Sequence, residues 1–377
     1  MKRVLSVLLA AALLTPCSLA APANLQLNAA SAVLMEKETG AVLYETNSHE
    51  KLEPASVTKV MTLLLIMEAL SSGRIKKEDM VTVSPFAASM GGSQVFLEEG
   101  EQMSVHDLLK CIAVSSANDA AVAMAEHLAG SEASFVDKMN TRAKELGMAD
   151  THFSNCTGLP VAEHYTTAHD IALMSRELIL NHPDIQSYAT IWMDSIRNGA
   201  FGLSNTNRLI RFYPGATGLK TGFTDSALYC LSATAERDGM ELIAAIMKSP
   251  TSDDRFQAAR TLLDHGFANY SLTTVHPNQA LPPVDVLLGT AQQVQPRLSR
   301  DCRLLLPRDG SAQVRTELSL ADDVEAPVEE GQQLGQMTVL VNGELRETVP
   351  IVASHSVERL SLPGIFSQLL RRMLMAD

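Results

Sequence analysis

The stretch Pro54-Ala55-Ser56-Val57-Thr58-Lys59 precedes a mostly apolar run, residues 60–70. The run is too short to cross a bilayer, and its apolar residues lie on every side of a helix, so it predicts a helix buried in a core. Pro54 suits the entry to a helix and places Ser56 in the first turn. Ser56 and Lys59 share one face there, so a hydroxyl and an amine are predicted side by side at the positive end of the helix dipole.

A serine hydroxyl and a lysine amine at this spacing indicate nucleophilic catalysis, provided that the amine is neutral and takes the serine proton. Burial or a second cation lowers the pKa of a lysine, so a second cation is expected near Lys59. The spacing alone is weak, because Ser48-His49-Glu50-Lys51 repeats it in a polar stretch that we interpret as a solvated loop. The alternative for Ser56 and Lys59 is a helix start with a surface lysine.

Residues 1–20 have the pattern of a secretory signal peptide. Lys2 and Arg3 precede an apolar segment, residues 4–14, and small residues follow as a cleavage site. We therefore predict that the mature chain is exported. Cys17 offers a lipoprotein site as an alternative, but Pro16 stands where such a site needs a small residue.

The remaining chain is long enough for one large and one smaller domain. The formal net charge is −13, which argues against nucleic acid as a partner. His164 and His169 are five residues apart and do not share a helix face. Metal-ligand spacing is also lacking in the cysteines beyond the signal peptide, Cys111, Cys156, Cys230 and Cys302. No metal or organic cofactor is therefore predicted.

Between residues 25 and 270, apolar periodicity predicts a mixture of helices and strands. A β-hairpin is expected at residues 30–35 and 41–44. Helices are expected over residues 104–129, with a break at 114–119, and over residues 165–181. Strands are expected at residues 216–224, 229–235 and 242–247.

Two pairs of polar residues in this region carry candidate chemistry. Ser116 and Asn118, in the helix break, present a hydroxyl and an amide two residues apart. The alternative is an N-cap for the second helix, supplied by Asn118 or Asp119. Lys220 and Thr221, in a predicted strand, place a second basic group beside a hydroxyl; the alternative is a lysine in a turn.

Three motifs thus occur in one order: Ser56-Val57-Thr58-Lys59, Ser116-Ala117-Asn118 and Lys220-Thr221-Gly222. The set resembles the active-site signature of penicillin-binding proteins and serine β-lactamases. The longer matches at 54–59 and 220–225 resemble the low-molecular-weight D-alanyl-D-alanine carboxypeptidases of the penicillin-binding protein 5 type. For residues 25–270 the resemblance implies the α/β (α+β) penicillin-binding fold, an antiparallel sheet flanked by helices.

The resemblance also implies a reaction, that of a serine-type D-Ala-D-Ala carboxypeptidase. Ser56 would attack the penultimate D-alanine carbonyl of a peptidoglycan stem peptide and release the terminal D-alanine. Lys59 would accept the serine proton, Ser116 would pass a proton to the leaving amine, and Asn118 would hold the substrate amide. β-Lactam antibiotics would acylate the same serine.

The third motif implies the remainder of the substrate site. Lys220, Thr221 and Gly222 would line it, with Lys220 as the second cation and Thr221 in contact with the terminal carboxylate of the substrate. The backbone N–H groups of Ser56 and Phe223 would form the oxyanion hole.

Three further positions qualify the resemblance. Arg255 falls where the family has an arginine that binds the same carboxylate; the alternative is an ordinary helix-surface arginine. Ala117 replaces the commonest glycine of the middle motif and should preserve its turn. Leu228 stands where the family has glycine, which suggests close backbone packing that a leucine would disturb.

Two rival functions share this scaffold. Class A β-lactamases deacylate through a Glu-x-x-Leu-Asn pattern, which Glu177-Leu178-Ile179-Leu180-Asn181 matches. We interpret it as the end of a helix, because it continues the helical period of residues 171–178. A non-catalytic binding protein is the other rival, but all three motifs are present here.

Residues 273–353 change in character and predict a small all-β domain. Short strand-like runs at 284–288, 302–306, 313–320 and 337–342 alternate with polar turns. The domain resembles the stalk that lifts the active site of these carboxypeptidases from the membrane.

Residues 354–377 end the chain in a predicted amphipathic helix. One stripe is apolar and the opposite face carries Ser367, Gln368, Arg371 and Arg372. We expect this helix to bind the outer face of the cytoplasmic membrane. The alternative is a helix packed on its own domain.

Overall fold

The computed structural model describes residues 25–366. The predicted signal peptide, residues 1–20, and residues 367–377 of the predicted terminal helix lie outside this range. The chain divides into two compact units, with the boundary between Phe267 and Ala268.

Nine α-helices occur within residues 25–361: α1 Lys59–Ser71, α2 Pro85–Ala88, α3 Val105–Ser115, α4 Asn118–Ala129, α5 Glu132–Glu145, α6 Ala168–Asn181, α7 Gln186–Ala189, α8 Leu209–Phe212 and α9 Ser252–Asn269. Short 3-10 helices span Ala55–Thr58 and Pro183–Ile185. The strands up to residue 249 are β1 Ser31–Glu36, β2 Val42–Thr46, β3 Met80–Thr82, β4 Gln102–Ser104, β5 Met193–Ile196, β6 Phe201–Ser204, β7 Ala216–Thr224, β8 Leu228–Arg237 and β9 Met240–Ser249.

An antiparallel sheet of five strands forms the scaffold of the first unit. Its order is β2-β1-β9-β8-β7, and α6 packs against both β1 and β9. Helix α1 packs against α3, α4, α5 and α6, and its residues are buried except Glu68, Leu70 and Ser71. A helix that is apolar on every side needs neighbours on every side, so the predicted core helix is confirmed.

The local structure around the nucleophile differs from the prediction in one respect. Ser56 lies in the 3-10 turn Ala55–Thr58, and α1 begins only at Lys59. A 3-10 turn continues into the helix without a break, so Ser56 still precedes Lys59 by one turn.

The predicted break between two helices is present, but neither predicted cap forms. Helix α3 ends at Ser115, and Ser116 adopts a left-handed conformation with φ 63°. Helix α4 has Ala117 as its N-cap, with no side-chain cap hydrogen bond. The alternative role of Asn118 or Asp119 as an N-cap was therefore wrong, and both side chains are available for other contacts.

The helix predicted from residue 165 starts at Ala168. The Thr167 hydroxyl caps it by accepting a hydrogen bond from the Asp170 N–H at 3.1 Å. Tyr165 and Thr166 form isolated β-bridges instead, with His152 and Leu52.

The second unit is all-β between residues 270 and 353, in agreement with the sequence. Its strands are β10 Tyr270–Val275, β11 Val284–Leu287, β12 Gln293–Val294, β13 Pro296–Leu298, β14 Cys302–Pro307, β15 Val314–Leu320, β16 Asp323–Glu325, β17 Gln333–Val341 and β18 Glu344–Ala353. They form sheets of order β10-β14, β12-β11-β16 and β13-β18-β17-β15. All pairs are antiparallel except β11 with β16.

The helix predicted from residue 354 begins only at residue 362, and residues 362–366 are helical. Val357 and Arg359 form isolated β-bridges with Val328 and Gly289 instead. Leu362 and Phe366 are 83% and 68% exposed, so the helical residues leave large apolar side chains in solvent. None of the helices within residues 25–366 combines the length and apolar character that crossing a membrane requires.

Candidate active site

The amine of Lys59 is the centre of the site. It is fully buried, and its Nζ lies 3.0 Å from Ser56 Oγ, 2.6 Å from Asn118 Oδ1 and 2.7 Å from the Thr157 carbonyl oxygen. A neutral amine has two N–H groups and one lone pair. The two carbonyl oxygens accept only hydrogens, so in the neutral form the lone pair faces Ser56 and can accept its proton.

Burial is what makes this amine a base. It lowers the pKa of Lys59 to about 7, although Cys156 and Asp119 act in the opposite direction. Lys220 is present and fully buried, but burial and the charge of Lys59 lower its own pKa well below the usual value. The second basic group expected near Lys59 is therefore present, and desolvation is the largest cause of the low pKa of Lys59.

Asn118 is oriented by a loop that sequence reasoning missed. Its Nδ2 donates to the Gly91 carbonyl at 2.7 Å, and its backbone N–H donates to the Ser93 carbonyl at 2.7 Å. The carboxylate of Asp119, buried beside it, accepts from the N–H groups of Val95 and Leu97. These bonds leave the Asn118 carbonyl oxygen directed at Lys59.

Thr157 is a second contact that the sequence did not reveal, since any residue type can supply a backbone carbonyl. Asn155 Oδ1 accepts from the N–H groups of Thr157 and Gly158 at 3.1 and 2.7 Å, which fixes the turn. Gly158 has φ +84°, and a Cβ there would lie 1.8 Å from the Ala55 carbonyl oxygen. An Asn followed three residues later by Gly is a turn signal that could have marked this segment.

Strand β7 passes directly beside the nucleophile. A Cβ on Gly222 would lie 2.7 Å from the Pro54 carbonyl oxygen and 3.1 Å from the Ser56 nitrogen. Glycine at this position therefore lets the strand approach the 3-10 turn. The next residue, Phe223, is exposed, and its ring packs on Tyr229 with centroids 4.4 Å apart.

The other residues of the third motif lie on the same strand. Lys220 Nζ donates to the Thr221 carbonyl oxygen at 3.0 Å, and the Thr221 hydroxyl donates to Thr206 Oγ1 at 2.6 Å. Lys220 is thus a buried strand residue, and the turn alternative was wrong. Thr206 is a further contact not anticipated from the sequence.

Ser116 is the member of the middle motif with a free hydroxyl. Its side chain is buried, and its Oγ has no hydrogen-bond partner among the described residues. A buried hydroxyl without a partner carries a desolvation cost, so a bound substrate that supplied a partner would recover that cost.

Arg255 is not the surface arginine of the alternative hypothesis. It is 7% exposed, and its Nη1 donates to the Gly222 carbonyl at 2.9 Å and the Cys230 carbonyl at 3.3 Å. Its guanidinium also lies 5.3 Å from the Tyr229 ring and 4.7 Å from the Phe256 ring. Burial lowers its pKa to about 10, and its Nε has no partner within residues 25–366.

The backbone at Leu228 has a conformation that favours glycine. Its φ is 54°, so the position where the family has glycine is a left-handed one at the first residue of β8.

Glu177 has a structural environment away from Lys59. It lies within α6, where it pairs with Arg142 at 2.6 Å and accepts from Asn181 Nδ2 at 2.9 Å. The helix ends at Asn181, as the sequence predicted. A glutamate held in this way is not free to activate a water beside Ser56.

The site therefore brings together the Ser56 hydroxyl, a buried Lys59 amine that can be neutral near pH 7, the Asn118 amide and the Ser116 hydroxyl, which is unpaired among the described residues. The basic side chains of Lys220 and Arg255 lie on the adjoining strand and helix. This set suits acyl transfer through a covalent serine ester. Within residues 25–366 the structure contains no cluster of three or more His, Cys, Asp or Glu side chains arranged to hold a metal ion.

Comparisons with known proteins agree with this chemistry. The sequence model of the D-alanyl-D-alanine carboxypeptidases matches residues 18–251, and that of the penicillin-binding protein 5 C-terminal domain matches residues 270–359. The chain is 42% identical to the D-alanyl-D-alanine carboxypeptidase DacF of Bacillus subtilis, over 95% of each chain. It is 34% identical to DacC of Escherichia coli, over 86% of this chain and 83% of that one.

Solved structures show the same similarity. Penicillin-binding protein 5 of Haemophilus influenzae matches with a TM-score of 0.74 and 29% identity, over 90% of this chain and 100% of that one. Penicillin-binding protein D2 of Listeria monocytogenes, solved in an ampicillin-bound form, matches with a TM-score of 0.60 and 33% identity, over 65% of this chain and 100% of that one. The chain therefore belongs to the D-alanyl-D-alanine carboxypeptidase family of serine peptidases.

Proposed function

We propose that this protein removes the terminal D-alanine from peptidoglycan stem pentapeptides through an acyl-enzyme on Ser56, and that β-lactam antibiotics acylate the same serine. The observation that carries the proposal is the buried Lys59 amine, 3.0 Å from Ser56 Oγ, with its other hydrogens engaged by carbonyl groups. No metal or organic cofactor is required, because the base, the nucleophile and the proton donor are all side chains.

The reaction follows from this arrangement. Lys59 takes the Ser56 proton as Oγ attacks the penultimate carbonyl, and the N–H groups of Ser56 and Phe223 bind the resulting oxyanion. Ser116 gives its proton to the nitrogen of the departing D-alanine as the peptide bond breaks and is reprotonated by Lys59, which returns to its neutral form. Water then hydrolyses the ester and returns Ser56 to its hydroxyl form.

The acyl side of the substrate and its terminal carboxylate would have separate contacts. Asn118 would hold the amide on the acyl side, and its Nδ2 keeps one hydrogen beyond the bond to Gly91. Thr221 and Arg255 would bind the terminal carboxylate, which an arginine fork suits, with Lys220 as a further basic group on the same strand as Thr221.

The test is to incubate the full chain with penicillin, and separately with a pentapeptide ending in D-Ala-D-Ala. We expect D-alanine release from the peptide and a long-lived penicilloyl adduct that peptide mapping places on Ser56. Rapid loss of the adduct with efficient penicillin hydrolysis would instead indicate a β-lactamase. The absence of both adduct and D-alanine would indicate a non-catalytic binding protein.

We also propose that the enzyme acts outside the cytoplasm, bound to the outer face of the cytoplasmic membrane. The amino-terminal signal pattern supports export, and the terminal amphipathic pattern together with exposed Leu362 and Phe366 supports surface binding.

Deleting residues 362–377 is expected to move the protein from the membrane fraction to the soluble fraction, because the apolar stripe supplies the attachment. Fractionation followed by penicillin labelling would measure both location and activity. Retention of the shortened chain on membranes, with acylation unchanged, would refute the proposed anchor.

A further inference from the structure

His164 is a buried histidine that the reaction as described does not use. Its Nδ1 accepts a hydrogen bond from the Ser154 N–H at 3.0 Å, so the ring proton sits on Nε2 and donates to the Thr58 hydroxyl at 2.7 Å. Burial, with a smaller effect of His152, lowers the pKa of His164 to about 4. The ring is therefore neutral under working conditions, with one tautomer selected by its partners.

The histidine belongs to a segment that runs along α1. Three side chains bind this segment, residues 152–164: that of Thr58 in the 3-10 turn, and those of Lys59 and Thr62 in the first turns of α1. Thr58 binds His164, the Lys59 amine donates to the Thr157 carbonyl at 2.7 Å, and the Thr62 hydroxyl donates to the Cys156 carbonyl at 2.7 Å. Thr58 and Thr62 are four residues apart and share a helix face.

The earlier part of the segment has attachments of its own. Asn140 exchanges two hydrogen bonds with the backbone of Phe153, each 2.8 Å long, and Glu132 accepts from the Cys156 N–H at 3.0 Å. At the other end, Tyr165 and Thr166 are held by backbone bridges to His152 and Leu52, and residue 164 reaches the 3-10 turn through the bond between His164 and Thr58. Loss of that contact should therefore loosen the segment locally while the fold survives.

We propose that His164 is a positioning residue that holds the Thr157 carbonyl against Lys59 and so sets the basicity of the catalytic amine. This inference rests on the proposed function, since it assumes that Lys59 is the base. The histidine acts through Thr58 and the segment backbone and touches neither the substrate nor the reacting atoms.

Access of water to Lys59 Nζ affects the pKa of this amine. Burial is the largest cause of the low Lys59 pKa, and the segment supplies part of that burial. If it lifts, water reaches Nζ and stabilises the charged form, which raises the pKa towards its usual value. The other groups that act on the pKa of Lys59 are Cys156 and Asp119, and both raise it. Asp119 lies outside the segment and stays in place. Cys156 moves with the segment, and the loss of its effect opposes the gain from water, but burial is the larger cause.

The sign of the pH effect follows. Only neutral Lys59 accepts the serine proton, so the acylation rate of the native enzyme should rise with pH through an apparent pKa of about 7 and then level off. Raising the Lys59 pKa moves this rising part of the pH–rate profile, the acid limb, to higher pH. Activity is then lost near neutral pH and recovered in more alkaline solution.

The experiment measures the rate of Ser56 acylation by a chromogenic β-lactam, from about pH 5 to about pH 10, in the full chain. His164→Asn can still accept the Ser154 N–H but cannot reach Thr58, and we expect its acid limb to move up by about one pH unit with a similar plateau. The matched control is His152→Asn, an exposed histidine of the same segment whose ring contacts the Glu163 carbonyl, and its limb should be unchanged.

A second pair of variants keeps the test independent of the folding of the histidine mutant. Thr58→Val removes the hydroxyl that His164 binds and should reproduce the upward shift, whereas Thr58→Ser retains a hydroxyl and should keep the native limb. An equal loss of rate at every pH in His164→Asn and Thr58→Val, or an unshifted limb in both, would overturn the inference. Failure of the native enzyme to form any adduct would instead refute the proposed function itself.

Discussion

Replacing Lys59 by methionine should lower the rate of Ser56 acylation by at least about 10³-fold, with penicillin and with peptide alike. Methionine fills similar space in the fully buried position but has no lone pair that can take the serine proton. The Asn118 and Thr157 carbonyls would lose a donor, at a cost of about 1–3 kcal/mol each. Part of that cost is offset, because a buried amine no longer has to be desolvated.

A comparison with Lys59→Arg separates proton transfer from charge. Arginine is permanently protonated, so it supplies positive potential without a base. Mass spectrometry of the penicilloyl adduct over time, with circular dichroism as the folding control, should show both variants folded and both almost unreactive. Substantial acylation by the arginine variant would mean that Lys59 contributes charge, and that another group removes the serine proton.

Gly158→Ala should destabilise the protein by about 3–5 kcal/mol and abolish most acylation. Two causes act together: the left-handed φ of +84°, and a Cβ that would lie 1.8 Å from the Ala55 carbonyl oxygen. The required displacement moves either the Thr157 carbonyl away from Lys59 or the turn that carries Ser56. Both displacements disrupt the contact between the base and the nucleophile.

Gly147→Ala is the matched control for this prediction. Gly147 has a similar φ of +76°, but a Cβ there would meet no atom within 4 Å. This substitution should therefore destabilise the protein only by the cost of a Cβ at a left-handed φ, about 1–2 kcal/mol, and leave acylation intact. Denaturant unfolding and adduct formation would measure the two effects. Equal losses of stability in the two variants would show that the approach to Ala55 contributes nothing.

The fold class and most of the site were predictable because their signals are local. An apolar run without a polar face specifies a buried helix, and Ser56 and Lys59 meet because three residues make about one helical turn. The remaining motifs could be assigned through the family resemblance, which matched Ser116, Asn118 and Lys220 by position. Family membership, the antiparallel sheet and the second all-β domain were confirmed.

Element ends and caps were less predictable. The nucleophile turn is 3-10, the predicted caps at Asn118 and Asp119 do not form, and Leu228 marks a left-handed position. The Asp119 carboxylate instead accepts hydrogen bonds from the backbone N–H groups of residues 95 and 97, which are more than twenty residues away along the chain. Local propensity cannot register such competition.

By itself the sequence indicated Ser56 as the candidate nucleophile with Lys59 beside it, and it determined the family and the order of the domains, because residue type and spacing carry that information. Only the tertiary structure decided why Lys59 can be a base. Its desolvation requires packing from several helices, and its third partner is the carbonyl of Thr157, a residue nearly one hundred positions away. The burial of Lys59 and its contact with a backbone carbonyl depend on which distant segments the fold brings together. The residue types at positions 59 and 157 do not specify that arrangement.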